Sequence, residues 1–159
     1  MSQRAQALVN RFEAANKAMI NYVESCSEEE LNKITDSEGW PVRVAANHIA
    51  VSHEPVVGLA QLIATGAPLP PLTMEMIHQG NAQHAAQFAD VSKEEVLEGL
   101  RQNGTKAAAV VAGLSDEQLD RTGLAPAFSV PMSAQQVIEN ILINHIAYHL
   151  DSIKAAVGR

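Results

Sequence analysis

The sequence has little of what marks secreted, nucleic-acid-binding or membrane proteins. Its one cysteine, Cys26, cannot form an intrachain disulfide, so export to an oxidising compartment gains no support. A net charge of −7 without a dense lysine or arginine run disfavours binding to nucleic-acid phosphates and anionic membranes. No stretch reaches the roughly 18 apolar residues of a membrane span, and the N-terminus lacks the apolar core of a signal peptide. We therefore expect a cytoplasmic protein without nucleic-acid or membrane partners.

Aromatic residues are also scarce, at 4%, yet the hydrophobic fraction of 47% is typical of a globular protein. Alanine is abundant, and alanine both favours helices and lets them approach closely. A chain of 159 residues suits one domain that buries its core without disulfides. We expect a single domain over residues 1–159.

Apolar spacing predicts most of the helices. Apolar residues recur every three or four positions over residues 3–24 and again from Val42 to about Thr65, where Pro55 can kink the helix. Glycine and proline over residues 66–71 predict a loop. Residues 73–89 show a weaker helical pattern, with an interruption expected at Gly80.

Serine caps predict the remaining helix starts. Ser92 opens a capping box, Ser27 and Ser115 open short capped turns, and Ser133 caps the last helix. Residues 122–132 are predicted to be a loop, and no stretch has the alternation of a strand. The sequence therefore predicts an all-α bundle of four long helices and a shorter one.

Two of the six histidines have the spacing of metal ligands. His145 and His149 lie four residues apart, about 40° around a helix, with Cβ atoms about 6 Å apart. Apolar residues such as Ile141 and Leu142 share that face. Two such imidazoles can converge on one ion at about 2.1 Å from each nitrogen.

His48, in the second long helix, is the best third candidate. His53 lies about 140° further round that helix, so both cannot face one ion, and we expect His53 to be solvated or at the rim. His78 and His84, six residues apart, face different ways. The alternative stays open that the paired histidines are hydrogen-bonded core residues, because short spacings also arise by chance.

Several enzyme classes are set aside. A zincin has glutamate directly after its first histidine, where this chain has Ile146. The sequence contains no nucleophile elbow, phosphate loop or dinucleotide fingerprint, and Cys26 has no basic neighbour to activate it.

Three ordered segments resemble the motifs of the DinB-like superfamily of bacterial four-helix bundles, which includes thiol-dependent S-transferases and mycothiol-dependent maleylpyruvate isomerase. Pro41 stands where that family usually has serine or threonine, and the segment around Asn81 resembles its asparagine-bearing third helix. The three segments are Gly39-Trp40-Pro41-Val42-Arg43, Asn47-His48-Ile49-Ala50 and Asn144-His145-Ile146-Ala147-Tyr148-His149.

The resemblance implies an up-down-down-up bundle whose long crossover holds the extra short helix. It implies one divalent-metal site, zinc or nickel, with His48, His145 and His149 as ligands, and a homodimer. It also implies a low-molecular-weight thiol as cosubstrate for transferase members, which need a site for an anionic molecule. The basic candidates for such a site are scattered along the chain: Arg43, Arg101, Lys106 and Arg121.

Three functions remain open. The first is a metal-dependent enzyme, either a thiol-dependent S-transferase or a hydrolase, acting on a small molecule; three histidines leave a coordination position free for this chemistry. The second is a metal- or ligand-binding bundle without turnover, and the third a structural homodimer with hydrogen-bonded histidines. No residue is a convincing general base, and four polar residues are candidate site neighbours: Ser52, Glu54, Asn144 and Tyr148.

Overall fold

The computed structural model describes residues 1–159, and helices make up most of it. The elements in chain order are α1 (Gln3–Ser25), α2 (Glu28–Leu31), α3 (Val42–Thr65), α4 (Met74–Gln87), α5 (Lys93–Ala112), α6 (Asp116–Asp120), β1 (Thr122–Gly123), β2 (Met132–Ser133), α7 (Ala134–Val137), a π-helical segment (Ile138–Ile143) and α8 (Asn144–Val157). The last three follow one another without a break, and together they form the terminal helix. The predicted all-α bundle is confirmed.

The predicted serine caps are present. Each accepts a hydrogen bond from the backbone N–H three residues on, and the Glu or Gln at that position accepts from the backbone N–H of the serine. These reciprocal bonds satisfy donors that a helix start leaves free. The capping serines are Ser27, Ser92, Ser115 and Ser133.

Two local expectations were wrong. The ends of the predicted loop 122–132 pair as a small antiparallel sheet, Thr122 with Ser133 and Gly123 with Met132. Strands of two residues are too short for any alternation to be visible. Helix α4 also continues through Gly80, and its periodicity is weak because His84 is its only buried residue.

Contacts between the long helices fix their directions. Where two helices run parallel, residues further along one contact residues further along the other. By this criterion α1 is parallel to the terminal helix and α3 is parallel to α5, whereas α1 and α5 are antiparallel. The bundle is therefore up-down-down-up, and the crossover from α3 to α5 contains α4. The pairs are Arg4–Gln135 and Arg11–Glu139, Arg43–Val91 and Glu54–Lys106, and Asn16–Leu100 and Glu24–Lys93.

Helix α3 lies at the centre of the core. It packs against α5, α4 and all three parts of the terminal helix. Aliphatic residues and alanines dominate the buried cluster, where Phe12 is the one fully buried aromatic. No helix combines the length and the apolar character needed to cross a membrane.

His53 is buried, which corrects the expectation of a solvated histidine. Its side chain is 1% exposed, its Nε2 lies 3.0 Å from Asn16 Oδ1, and its ring meets that of Phe12 edge-on. Because α3 has neighbours on several sides, histidines on different faces of it can both be buried. Asn16 also donates to the carbonyl of Leu100, so this network joins α1, α3 and α5.

The close approach of α1 and α5 depends on Gly104. A Cβ added there would lie 2.3 Å from Nδ2 of Asn16, which is already held by hydrogen bonds. We expect Gly104→Ala to lower the free energy of unfolding by about 1–3 kcal/mol, as overpacking does. Urea denaturation measures this.

Gly80→Ala is the matched control, because an added Cβ meets nothing within 4 Å there. It should raise the stability by up to about 1 kcal/mol through helix propensity alone. Equal effects of the two substitutions would contradict the close-packing argument.

Burial of His53 predicts a pH-dependent stability. Burial, and then the charge of His145, lowers the pKa of His53 from 6.5 to about 4. The unfolded chain thus binds more protons between these values, so stability falls as the pH drops from 6.5 to 4, by about 3 kcal/mol at most for this group. His53→Gln can still donate to Asn16, and in metal-free protein it should show a shallower decline in urea midpoints over that range. An unchanged slope would refute this assignment.

Candidate metal centre

The three histidines selected by spacing and motif lie together between two helices. His48 comes from the middle of α3, and His145 and His149 come from successive turns of α8. The Nε2 of His145 lies 3.3 Å from that of His48 and 3.0 Å from that of His149. One donor atom from each residue lies within 4.8 Å of the others. The three imidazoles therefore converge on one point.

The π-helical segment ends at Ile143, two residues before His145. The N–H of Asn144 bonds to the carbonyl of Glu139, five residues back. Within the segment, Ile138, Leu142 and Ile143 are buried. Sequence reasoning missed the segment, although such turns recur at functional sites.

Burial keeps the three imidazoles neutral near pH 7. It lowers the pKa of His48 to about 3, with further contributions from the charges of His145, His149 and His84. Burial followed by the charge of His149 lowers the pKa of His145 to about 4, although Glu38 opposes this shift, and burial lowers the pKa of His149 to about 4. Neutral imidazoles have free lone pairs, which is the form that binds metals.

The donor set fits a tetrahedral divalent ion. Bonds of 2.0–2.1 Å in tetrahedral directions separate nitrogen donors by roughly 3.4 Å, close to the spacings of His145 from its two partners. Imidazole nitrogen suits zinc, nickel, copper and iron. The alternative of mutual hydrogen bonding satisfies the cluster less well, since Nε2 of His145 faces Nε2 of both partners and has only one proton or one lone pair to share between them.

Glu38 and Trp40, in the loop before α3, lie next to the triad. The Oε1 atom of Glu38 lies 3.6 Å from Nδ1 of the neutral His149, which is longer than a hydrogen bond. The ring of Trp40 meets that of His48 edge-on at 5.4 Å. A carboxylate in this position can orient a ligating histidine.

The four suggested site neighbours have different places. Ser52 lies beside the triad, where its hydroxyl donates to the carbonyl of His48. The exposed ring of Tyr148 packs against His149. Asn144 is exposed, and Glu54 pairs with Lys106 at the surface.

A cavity of about 710 Å³ opens beside His48 and His145. Its walls come from α3, the loop after it, α4, the loop between β1 and β2, and the π-helical segment. Most of the accessible wall is apolar, and the half-buried amide of Asn81 faces it from α4. Its size is within the usual range for small-molecule sites.

His84 joins α4 to this region, and sequence reasoning did not single it out. It is buried, whereas His78 is exposed. Asn47 donates from Nδ2 to Nε2 of His84 over 3.0 Å if the ring proton is on Nδ1, and that Nδ1 is buried without a partner. The spacing of Ile77, Asn81 and His84 along one face of α4 was the available signal.

The scattered basic residues are all occupied elsewhere, and none lines the cavity. Each is held by an acidic side chain, and two also donate to backbone carbonyls. The contacts are Arg43 with Glu28 and Val91, Arg101 with Glu24, Lys106 with Glu54, and Arg121 with Glu117 and Ala64.

The chain is similar in fold to two solved bacterial structures. One is described as "YfiT from Bacillus subtilis is a probable metal-dependent hydrolase with an unusual four-helix bundle topology"; it is 18% identical, with a TM-score of 0.76 over 99% of this chain and 90% of that one. The other is an uncharacterized protein from Clostridium difficile 630, 13% identical, with a TM-score of 0.73 over 98% and 96% of the two chains. At these identities the likeness shows the fold alone.

The sequence itself carries the family assignment. No curated protein matches the chain. The family model of the DinB superfamily matches residues 11–153. This range includes all three clustered histidines and the long helices, apart from the start of α1 and the last residues of α8. The chain therefore belongs to the DinB superfamily.

Proposed function

We propose that the protein is a divalent-metal-dependent enzyme, foremost a hydrolase, acting on a small molecule held in the cavity beside His48 and His145. The observation that carries this proposal is the convergence of three neutral imidazoles at one end of a large apolar cavity. A purely structural histidine cluster has no need of an adjoining cavity. The description of YfiT as a probable metal-dependent hydrolase supports the same reading.

The chain's own residues would have separate tasks. His48, His145 and His149 would hold the ion, with Glu38 setting the orientation of His149. A divalent ion, zinc or nickel, with three protein ligands keeps a position open and lowers the pKa of a water or thiol there. The apolar wall of the cavity would exclude bulk water and hold the substrate beside the triad.

A thiol-dependent S-transferase is the second candidate, supported by family membership. Common cellular thiols such as glutathione carry carboxylates, and these need cationic partners when they leave water. No lysine or arginine lines the cavity, so the site favours water as the nucleophile. A binding bundle without turnover would have the same ligands. The homodimer and the cytoplasmic location stay predictions from the sequence.

Metal content tests the ligand set. Purified without an affinity tag, the protein should hold about one divalent ion per chain by elemental analysis, as one three-histidine site requires. His145→Ala should remove most of the ion while circular dichroism shows an unchanged helical fold. His78→Ala replaces an exposed histidine outside the cluster and should keep the ion. Full occupancy in His145→Ala would sink the assignment.

Turnover separates the candidate functions. The metal-loaded protein should hydrolyse a neutral ester such as 4-nitrophenyl butyrate without added thiol, with at least about a hundredfold loss in His48→Ala, as expected when the metal ligands that generate the nucleophile are disrupted. His78→Ala should retain the rate. Turnover of an electrophile that occurs only with added thiol would favour the transferase instead.

Cobalt substitution reports directly on thiol binding. A thiolate on the ion gives a sulfur-to-metal charge-transfer band in the near ultraviolet, since the metal deprotonates a coordinating thiol. Glutathione should give a weaker band than the small uncharged thiol 2-mercaptoethanol, because the cavity offers its carboxylates no cation. A metal-loaded protein that neither turns over nor binds a thiol would leave the binding bundle as the better reading.

A further inference from the structure

The cavity beside the triad has no charged side chain in its wall. Its fifteen lining residues include no lysine, arginine, aspartate or glutamate. Glu54, which precedes the lining residue Pro55 on α3, pairs with Lys106 of α5 and does not line the cavity. An ion that entered would lose its hydration without gaining a partner from the wall, which is costly. The cavity is therefore built for an uncharged molecule.

Few polar groups in the wall are free to bind such a molecule. The hydroxyl of Ser52 is used by the carbonyl of His48, and His48 and His145 face each other at 3.3 Å. Gln61 is exposed at the cavity's edge. The amide of Asn81 is half-buried and makes no hydrogen bond to any protein group. Asn81 is thus the one sheltered polar side chain left unused.

Helix α4 holds Asn81 close to the triad. Ile77, one turn before it, also lines the cavity. His84, about one turn after it, is buried and bonded to Asn47, the neighbour of His48. The amide can therefore offer a free N–H donor to a molecule lying in the cavity beside the triad.

We infer that the site takes an uncharged, largely apolar carbonyl compound, a neutral ester or amide, and that Asn81 positions it by donating a hydrogen bond from Nδ2 to its carbonyl oxygen. The carbonyl follows from the proposed function, on which this inference rests, because it is the group that an activated nucleophile attacks in hydrolysis. The neutral character follows from the cavity wall alone. Asn81 acts on binding and orientation, as a positioning residue.

Three probes of similar shape separate charge from hydrogen bonding: the amide N-phenylbutanamide, the carbonyl-free butylbenzene and the anion 4-phenylbutyrate. Trp40, the only tryptophan, touches His48 and reports binding by its fluorescence. Each probe is titrated into the full chain as purified and again after metal removal. The anion and the amide are compared in the metal-free protein, since a carboxylate could otherwise bind the metal ion itself.

The matched variants are Asn81→Leu, which keeps the size of the side chain without the donor, and Gln79→Leu on the exposed face of the same helix. Asn81→Leu should raise the Kd of the amide about five- to tenfold, as expected for the loss of one neutral hydrogen bond. The same substitution should change the Kd of butylbenzene less than about twofold, and Gln79→Leu should change the Kd of neither probe. In metal-free protein the anion should bind at least about tenfold more weakly than the amide, because its charge goes unpaired.

Equal binding of anion and amide would overturn the neutral-substrate inference. An equal effect of Asn81→Leu on amide and hydrocarbon, or none, would overturn the role of Asn81. Asn81→Ala repeats the comparison if the leucine variant does not fold. Selective amide binding without any hydrolysis would support this inference and contradict the enzyme proposal. Hydrolysis at a rate that Asn81→Leu leaves unchanged would support the enzyme proposal and contradict the role of Asn81.

Discussion

Enclosure of helix α3 is the constraint on which the rest of the structure depends. This helix contacts α5, α4 and the terminal helix, so its histidines are removed from water on more than one face. A charged imidazole is penalised in such surroundings, and the pKa values of His48 and His53 fall accordingly. The bundle thus keeps neutral nitrogen donors in its interior at the pH where most proteins work.

Small residues make this enclosure possible in a chain with few aromatics. Gly104 allows α5 to approach Asn16 of α1, and Gly99 lies against Ala50 of α3. Close helix packing leaves little room for a void in the core itself. The large cavity instead lies at the side of the bundle, where α3 and the terminal helix form one part of its wall and α4 and two loops form the rest.

Sequence reasoning succeeded where the signal is local or ordered along the chain. Serine caps, helix spans and the spacing of His145 and His149 depend on residues within one or two turns. His48 was the best third candidate from its place in the second long helix, and the ordered family motifs selected the same residue. The direction of the four helices also came from the resemblance, and contacts in the structure bear it out.

The features that were missed depend on tertiary neighbours. A position on a helical wheel cannot show that α3 is covered on several sides, so the burial of His53 was misjudged. The paired strands of two residues and the π-helical segment each depart from regular spacing over too few residues to be visible. His84 was overlooked since α4 buries that single residue, so only the spacing of Ile77, Asn81 and His84 along one face pointed to it.

Burial would act on the proposed metal ligands and on the proposed substrate by the same physical rule. A wall that holds imidazoles neutral also rejects ions that bring no partner with them, because both effects arise from the loss of hydration. The metal would be the exception, since three lone pairs replace its lost water. A divalent ion held there would be the only formal charge facing an otherwise apolar cavity. Its field would then be screened little by water or counter-ions, so it would act strongly on a polar bond held within reach. The protein's basic residues discussed above pair with carboxylates, including the buried Arg43 with Glu28, and none of these charges lines the cavity.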